Sequence, residues 1–567
     1  MRSVSQANVT TELTNWNAVN WQQAEASVCN LRQRIFRASK EGNFKKVKSL
    51  QKLMLRNKAN ALVSVRRVSQ LSAGKNTPGV DKLVVKTPAT RSMLAAYVMK
   101  QQPWRAKPAR RVYIPKANGK QRPLGIPTIA DRAMQAVVKN ALEPYWEARF
   151  ESSSYGFRPG RGCHDAIGKI YGLARPNKRK KWVVDADIKG AFDNISHSAL
   201  LELVEGFPAK ELIKQWLKAG FVEEGVQHDT DSGTPQGGVI SPLLANIALH
   251  GMEDALGIKH DKRGQLVGKR ALVRYADDFV IFCETEEDAV QARTEVATWL
   301  ETRGLVLSPE KTKIRHLSEG FDFLGFNVRQ YKAPMTSRSG WKLLITPSKG
   351  AVKKLTAKLR DIWLSMRGKA VDVVLKKVNP IIRGWANYYR TVVSKATFNK
   401  LDSWLYQRCY RYAKHTHPLK PWKWIADKYW GQMKHDSKNK WVFGDKRTGA
   451  YMLQFAWTPI VRHVMVQGGA SPDDPELQMY WDERRKKRIQ ELPPKWLALA
   501  RVQKGLCTTC KGSLFNGEEL HRHHVVRRKN GGSDALANLR LIHLFCHQHE
   551  HRSLNDKGAN LEVFQFA

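Results

Sequence analysis

Leu272-Val-Arg-Tyr-Ala-Asp-Asp-Phe-Val-Ile-Phe282 is the stretch on which the reading of this chain turns. Two apolar runs flank a short polar turn, the pattern of a β-hairpin. The turn carries two adjacent acids, Asp277 and Asp278, inside an otherwise apolar segment. Aspartate is common in turns, so a plain exposed turn is the alternative. A second stretch lies upstream, Trp182-Val-Val-Asp-Ala-Asp-Ile188. Side chains alternate along a strand, so Val184, Ala186 and Ile188 face a core while Asp185 and Asp187 share the other face. Two carboxylates on one strand face repel each other, and a bound cation relieves that. If the hairpin pairs beside this strand, three carboxylates meet. Such a cluster suits two Mg²⁺ ions about 4 Å apart, because Mg²⁺ takes hard oxygen ligands.

The bulk of the chain points to a polyanion. Its 567 residues suggest roughly three to five domains. There are 96 Lys plus Arg against 51 Asp plus Glu, a formal net charge of +45. A chain this basic usually meets nucleic acid; the plainer reading is charge that keeps it soluble. No stretch of about 20 apolar residues is present, which predicts no membrane span. The first 30 residues lack an apolar signal core and carry Glu12 and Glu25, against a transit peptide. Of the seven cysteines, Cys29, Cys163, Cys283 and Cys409 are scattered, while Cys507, Cys510 and Cys546 cluster near the C-terminus. That usage suits a reducing compartment with one metal site, hence a cytoplasmic protein.

Along the chain, residues 20–75 read as helical and basic, with Leu31, Ile35 and Phe36 and then Leu50, Leu53 and Met54 on the apolar face. Residues 349–420 carry 17 Lys or Arg against three acids, Asp361, Asp372 and Asp402. Leu355, Leu359, Ile362, Trp363 and Met366 recur there at helical spacing, which predicts a basic amphipathic helix with more helices after it. Gly468-Gly-Ala-Ser-Pro-Asp-Asp-Pro475 reads as a linker.

The acids sit in recognisable surroundings. Tyr275-Ala-Asp-Asp278 resembles the catalytic box of reverse transcriptases, and Asp187-Ile-Lys-Gly-Ala-Phe-Asp193 resembles the first palm motif of the same enzymes. The resemblance implies that Asp187, Asp277 and Asp278 are catalytic Mg²⁺ ligands. It implies that Phe192 packs under the incoming sugar and helps exclude a 2′-hydroxyl; Asp185 and Asp193 read as structural or as supporting the ligands from behind. Val112 to Pro127 looks like the fingers hairpin, where Lys120 and Arg122 would grip a deoxynucleoside triphosphate; arginine suits this because its fork binds phosphate bidentately. Gly233-Thr-Pro-Gln-Gly-Gly-Val-Ile-Ser-Pro242 resembles the loop under the templating base, with Gln236 as its polar contact. Ser308-Pro-Glu-Lys-Thr-Lys313 and Phe323-Leu-Gly-Phe326 resemble later palm motifs; Lys311 is either a nucleic-acid contact or a surface lysine.

Order and spacing narrow the family. Residues 20–415 resemble a protein encoded by a group II intron, through the N-terminal extension, Tyr155-Gly-Phe-Arg-Pro-Gly-Arg-Gly-Cys-His-Asp-Ala166 and Arg383-Gly-Trp-Ala-Asn-Tyr-Tyr-Arg390. In that family the basic helical segment is both thumb and maturase domain and clamps the intron RNA. Arg383 and Arg390 would meet phosphates, and Trp385, Tyr388 and Tyr389 either stack on bases or belong to the core. Residues 415–480 lie where the family binds DNA; Trp422, Lys423, Trp424 and Lys428 are candidates.

At the C-terminus, Cys507-Thr-Thr-Cys510 and His543-Leu-Phe-Cys546 supply four soft ligands, enough for a closed tetrahedral zinc site. His543 and Cys546 are expected to share a helix face, with His549 or His551 as substitutes for His543. Glu519-Leu-His-Arg-His-His-Val-Val526, Gly531-Gly-Ser-Asp534, Asn538-Leu-Arg-Leu-Ile542 and Cys546-His547 resemble the HNH nuclease motif. The resemblance implies His524 as general base, His523 and His547 on one catalytic divalent ion, and Asn538 holding the loop and orienting His524. The alternative is a structural zinc knuckle that binds DNA. His521 has no assigned role.

The expected fold is an α+β multidomain chain with a right-hand polymerase core of fingers and palm, an α-helical basic thumb, and a small zinc-stapled ββα HNH domain. The expected divisions are 1–80 (N-terminal extension), 81–345 (fingers and palm), 346–414 (thumb/maturase), 415–489 (DNA-binding region and linker) and 490–567 (HNH). The expected function is RNA-directed DNA polymerisation joined to intron RNA binding, splicing assistance and nicking of target DNA.

Overall fold

The computed structural model describes residues 15–550 apart from 101–102, 116–118, 120, 262–263, 335–339, 434–437, 490–491, 493, 516–517, 545 and 548–549. Helices Trp21–Lys40, Phe44–Arg56 and Lys58–Arg66 open it. Each follows an asparagine, Asn20, Asn43 or Asn57, whose side chain accepts a backbone N–H three residues on, which satisfies one of the helix's orphan donors. Leu31, Ile35, Phe36, Leu50 and Met54 are buried as the periodicity predicts, but Leu53 is 48% exposed. Val47, Leu50, Gln51 and Met54 line the buried stripe of their helix, and Leu53 falls on the far side of Leu50. These helices share their cores with the long helix Ile129–Glu147, so the N-terminal extension packs into the fingers.

The palm is a four-stranded sheet. Trp182–Asp187 lies between Lys313–His316 and Asp278–Cys283, and Ala271–Tyr275 forms the far edge. Both faces are covered. Val184, Ala186, Phe279 and Ile281 join a core with the helices before and after them. Val183, Val273, Val280 and Phe282 join a second core that continues through Phe321 and Phe326 into the thumb. This explains the near-continuous apolar strands. In the fingers, Ala109–Pro115 pairs antiparallel with Gln121–Ile126 and parallel with Phe221–Glu223.

The basic segment forms helices Lys349–Ser365, Val371–Tyr389 and Lys395–Thr416, the last running two residues past the expected boundary at 414. Leu355, Leu359, Trp363 and Met366 are buried and Ile362 is half-buried. Beyond them, helix Trp422–Tyr429 and the small sheet around Val442–Asp445 contribute Ile425, Tyr429, Trp430 and Phe443 to the thumb core. The described residues of 415–455 therefore share the thumb core.

The linker expectation for 468–475 is corrected. Asp473 makes a two-pronged ion pair with Arg32, at 2.8 and 2.7 Å, and Arg32 also holds Glu143 at 2.9 Å. Asp474 pairs with Lys40 at 3.0 Å, and Arg161 donates to the Gly468 and Ala470 carbonyls. Glycine and proline mark the absence of regular structure here, while the two aspartates bury the segment as a strap from thumb to N-terminal helix. Among the described residues, no helix is long and apolar enough to cross a membrane.

Candidate active sites and metal centre

The register of the palm sheet places Asp187 directly opposite Asp278, with Asp277 in the turn before it. All three side chains are half-buried. Burial, the charges of Asp277 and Asp187, and a hydrogen bond with Asp187 push the Asp278 carboxyl up to about 7. Burial and Asp187 also raise Asp277. The Lys311 ammonium stands 2.6 Å from Asp187 Oδ2. The strand end thus holds more negative charge than it can keep ionised unaided, and a cationic group already rests against it. That charge, and an all-oxygen donor set, fit hard divalent cations. Asp185 lies two residues back on the same strand, opposite Lys313 in the register, and burial lifts it to about 6.

The hairpin is aimed from beneath. Ala276 takes a left-handed φ of 58° in the turn. Gly156 lies so close that a Cβ there would meet Ala276 N at 2.3 Å. Arg274, fully buried in an apolar strand, donates to Asn246 Oδ1 at 3.1 Å and to the Ala276 carbonyl at 3.3 Å. Asn246 in turn donates to the Gly156 carbonyl at 2.8 Å. Sequence reasoning missed this support. Its signal was the arginine between Val273 and Tyr275, since a charge in an apolar strand must find partners.

Phe192 and Gln236 line one cleft of about 540 Å³, bordered by the fingers residues Arg111, Pro123 and Gly125. Gln236 Nε2 donates to Asp193 Oδ2 at 3.1 Å, so Asp193 fixes the side chain expected under the templating base. Arg122 is exposed on the fingers strand, and its positive charge acts on Asp277. Lys120 lies outside the described residues.

Of the two readings left open for the thumb aromatics, the contacts in the structure are those of a core. Tyr389 is 4% exposed and donates to the Gly325 carbonyl at 3.1 Å. Tyr388 donates to the Leu324 carbonyl at 3.0 Å and stacks on Phe326. Trp385 packs on Tyr389 with centroids 4.3 Å apart, and on Phe398 and Phe455. The two tyrosines join thumb to palm, and Trp385 packs within the thumb. Arg383 is exposed and Arg390 is half-buried.

In the C-terminal module, strands Leu520–His524 and Leu539–His543 pair antiparallel over a small core of Leu499, Leu514, Leu541 and Ile542. Cys507, Cys510, His543 and Cys546 bring their donor atoms within 4.8 Å of one another. Among the described residues this is the one group gathered so tightly; the three palm acids, with Lys311 among them, are not. His543 Nε2 lies 3.0 Å from the Ser513 carbonyl, which leaves Nδ1 facing Cys510 Sγ at 3.3 Å. Three sulfurs and one imidazole are a zinc donor set. The shared helix face is corrected: His543 ends a strand, and Cys546 lies in the helical backbone after it. His549 and His551 lie outside the described residues.

The second cluster gathers on the neighbouring face. The His547 ring lies 5.4 Å from His523 and 5.3 Å from His521. Glu550 Oε2 is 3.5 Å from His523 Nε2, a carboxylate the sequence reading did not single out. His524 Nε2 meets Asp534 Oδ1 at 2.7 Å. Asn538 spends its side chain on the loop backbone, accepting from Val526 N at 2.7 Å and donating to the Val526 and Ser533 carbonyls. It holds the loop after His524, while Asp534 touches the ring itself.

Comparison with known proteins finds four families along the chain. Reverse transcriptase (RNA-dependent DNA polymerase) matches residues 114–328, and the N-terminal domain of reverse transcriptase matches 16–98. The group II intron maturase-specific domain matches 352–430, and HNH endonuclease matches 507–553. Protein YkfC of Escherichia coli (strain K12) is 35% identical over 303 residues, 47% of this chain and 80% of that protein. Group II intron-encoded protein LtrA of Lactococcus lactis subsp. cremoris is 32% identical over 386 residues, 53% of this chain and 63% of LtrA. A solved telomerase from Candida albicans aligns over 55% of this chain and 58% of its own, with a TM-score of 0.32 and 14% identity. With a polymerase, a maturase and a nuclease domain matched in this order, the chain belongs to the group II intron-encoded reverse transcriptase/maturases that carry an HNH endonuclease domain.

Proposed function

We propose that this protein copies its intron RNA into DNA at Asp187, Asp277 and Asp278, primed from a nick cut by its own HNH domain. The observation that carries the reading is the register that sets Asp187 opposite Asp278 beside Asp277. Two Mg²⁺ ions held there supply a lowered pKa for the primer 3′-hydroxyl and a counter-charge for the triphosphate. The chain's own groups do the rest. Arg122 presents a phosphate fork from the fingers, with Lys120 as its partner. Phe192 and Gln236 border the sugar and the templating base. Lys311 neutralises Asp187 until cations and substrate arrive, and then is free to meet nucleic acid. Arg383 and Arg390 are the thumb's phosphate contacts for the intron RNA whose splicing the protein assists.

In the nuclease module, His524 takes a proton from the attacking water, and Asp534 holds its ring in the tautomer that does so. His523 and His547 hold the divalent ion, and the Cys/His set holds a structural Zn²⁺. Trp422, Lys423, Trp424 and Lys428 are the DNA contacts. The Lys428 ammonium over the Trp424 ring at 4.8 Å supports a basic, aromatic surface of that kind.

The deciding test is primer extension on an RNA template with Mg²⁺, comparing the wild type with Asp277→Ala plus Asp278→Ala. The wild type makes cDNA and the double variant makes none. If neither makes cDNA in a buffer that supports a known enzyme, the polymerase reading fails.

A further inference from the structure

The segment Tyr155-Gly-Phe-Arg-Pro159 holds Phe157 between two anchors. On one side, Gly156 is wedged against the Ala276 backbone and its carbonyl accepts from Asn246 at 2.8 Å. On the other, Arg158 is 4% exposed and is spent on Glu147 at 3.0 Å and on the carbonyls of Glu151 and Ser154. Between them Phe157 takes a left-handed φ of 60° with its ring 48% exposed. A turn that needs positive φ ordinarily takes glycine or asparagine. Burial does not explain a phenylalanine either. What the ring meets is Phe192, edge to face, with centroids 6.1 Å apart and planes at 80°.

Phe192 packs against the palm core on one side but stays half-buried, so part of its ring depends on other neighbours. It sits on the four-residue helix Ala191–Asn194, half-buried, at the border of the cleft that also holds Gln236. A side chain that excludes one oxygen atom works only if it cannot swing aside. We infer that Phe157 is a positioning residue for nucleotide selection: it braces the Phe192 ring from the catalytic-hairpin side, so that Phe192 discriminates against ribonucleotides. Strained backbone is kept where a function needs it and the surroundings enforce it, and the two anchors enforce it here. The inference rests on the polymerase reading above.

The test is single-nucleotide addition to a primer on an RNA template, with a deoxynucleotide and the matching ribonucleotide measured separately. Phe157→Ala and Phe157→Gly each lower the ratio of the two kcat/KM values about ten-fold, mainly through KM for the ribonucleotide. Phe157→Tyr keeps the wild-type ratio. In a Phe192→Ala background, Phe157→Ala changes the ratio no further, because the wall it braces is gone. The glycine variant fits the left-handed backbone, so misfolding does not cloud its result. A folded Phe157→Gly with the wild-type ratio overturns the inference. So does an equal slowing of both nucleotides, or two effects that multiply in the double variant. If the wild type adds no nucleotide at all, the polymerase reading falls and takes this one with it.

Discussion

Gly156 shows how a residue with no functional group controls the chemistry. Its missing Cβ lets the segment after Ser154 press against the turn that carries Asp277 and Asp278. Gly156→Ala pushes that turn away, and displacement of reacting groups by about 1 Å costs on the order of 100-fold in rate. The expected outcome is a folded protein with primer extension about 100-fold slower, checked by single-turnover kinetics beside circular dichroism; a wild-type rate would show that the turn tolerates the shift. Glu151, below the same hairpin, sets a pH limit. Burial alone would raise its carboxyl, but His250 at 3.2 Å, the Arg274 charge and the Gly251 N–H together hold it down at about 2. A folded value below the ordinary 4.5 stabilises the fold above that pH, and the contribution is lost as pH falls from about 4.5 to about 2. At neutral pH the difference of about 2.5 units corresponds to about 3 kcal/mol. Denaturation midpoints of wild type and Glu151→Gln should therefore differ at pH 7 and converge through that acid window. A gap that persists at pH 2 would mean that packing, not charge, is what the substitution removes.

At the scale of elements, what was legible depended on how far apart partners lie in sequence. The two strands bearing the palm acids announced themselves through alternation and adjacent aspartates, and the C-terminal Cys/His cluster through short spacings. The strap did not. Its Asp473 answers Arg32 across 441 residues, and nothing local to Gly468–Pro475 says so. The thumb aromatics stayed ambiguous for a related reason: a tyrosine looks alike whether it stacks on a base or on Phe326. The direction of Arg383, exposed, against Tyr389, buried, is set by which helix face the palm covers. The C-terminal module is the element with least apolar support, so a metal held by its Cys/His cluster would carry much of its stability. Cys507→Ser plus Cys546→Ser, or a strong chelator, should open residues 507–546 to protease and abolish DNA nicking. Primer extension should survive the cysteine variant, because the palm acids draw on other cores. A nuclease module that resists protease after both sulfurs are removed would count against a structural metal.

For the whole molecule, the nuclease is fastened to the polymerase at its far end in sequence. Arg66, on the third N-terminal helix, donates to Glu518 Oε1 at 3.0 Å, with both side chains only 2% exposed. The same guanidinium reaches Glu25 at 2.8 Å and lies over the Trp21 ring. The contact spans 452 residues and closes the chain on itself. A desolvated pair of this kind adds little net stability but is costly to break on one side, about 3–5 kcal/mol. If the polymerase extends the strand that the nuclease nicks, the weight of this pair would fall on placement, setting where a nick is made relative to where a 3′-hydroxyl must be delivered. Glu518→Gln keeps the shape and removes the charge, so the module should stay folded on its own core and Cys/His cluster while its tie to Arg66 loosens. The expected outcome is near wild-type nicking of a DNA substrate and near wild-type extension of a supplied primer. The yield of cDNA joined to the nicked strand should fall about ten-fold, since fixed geometry is worth that much and more when one product must reach a second site. The measurement is a coupled reaction with labelled DNA, intron RNA and nucleotides, scored for nicked, extended and joined products in one lane. A joined yield that stays at the wild-type level, with both separate activities intact, would mean that DNA passes between sites by diffusion and that the Arg66–Glu518 tie serves folding alone.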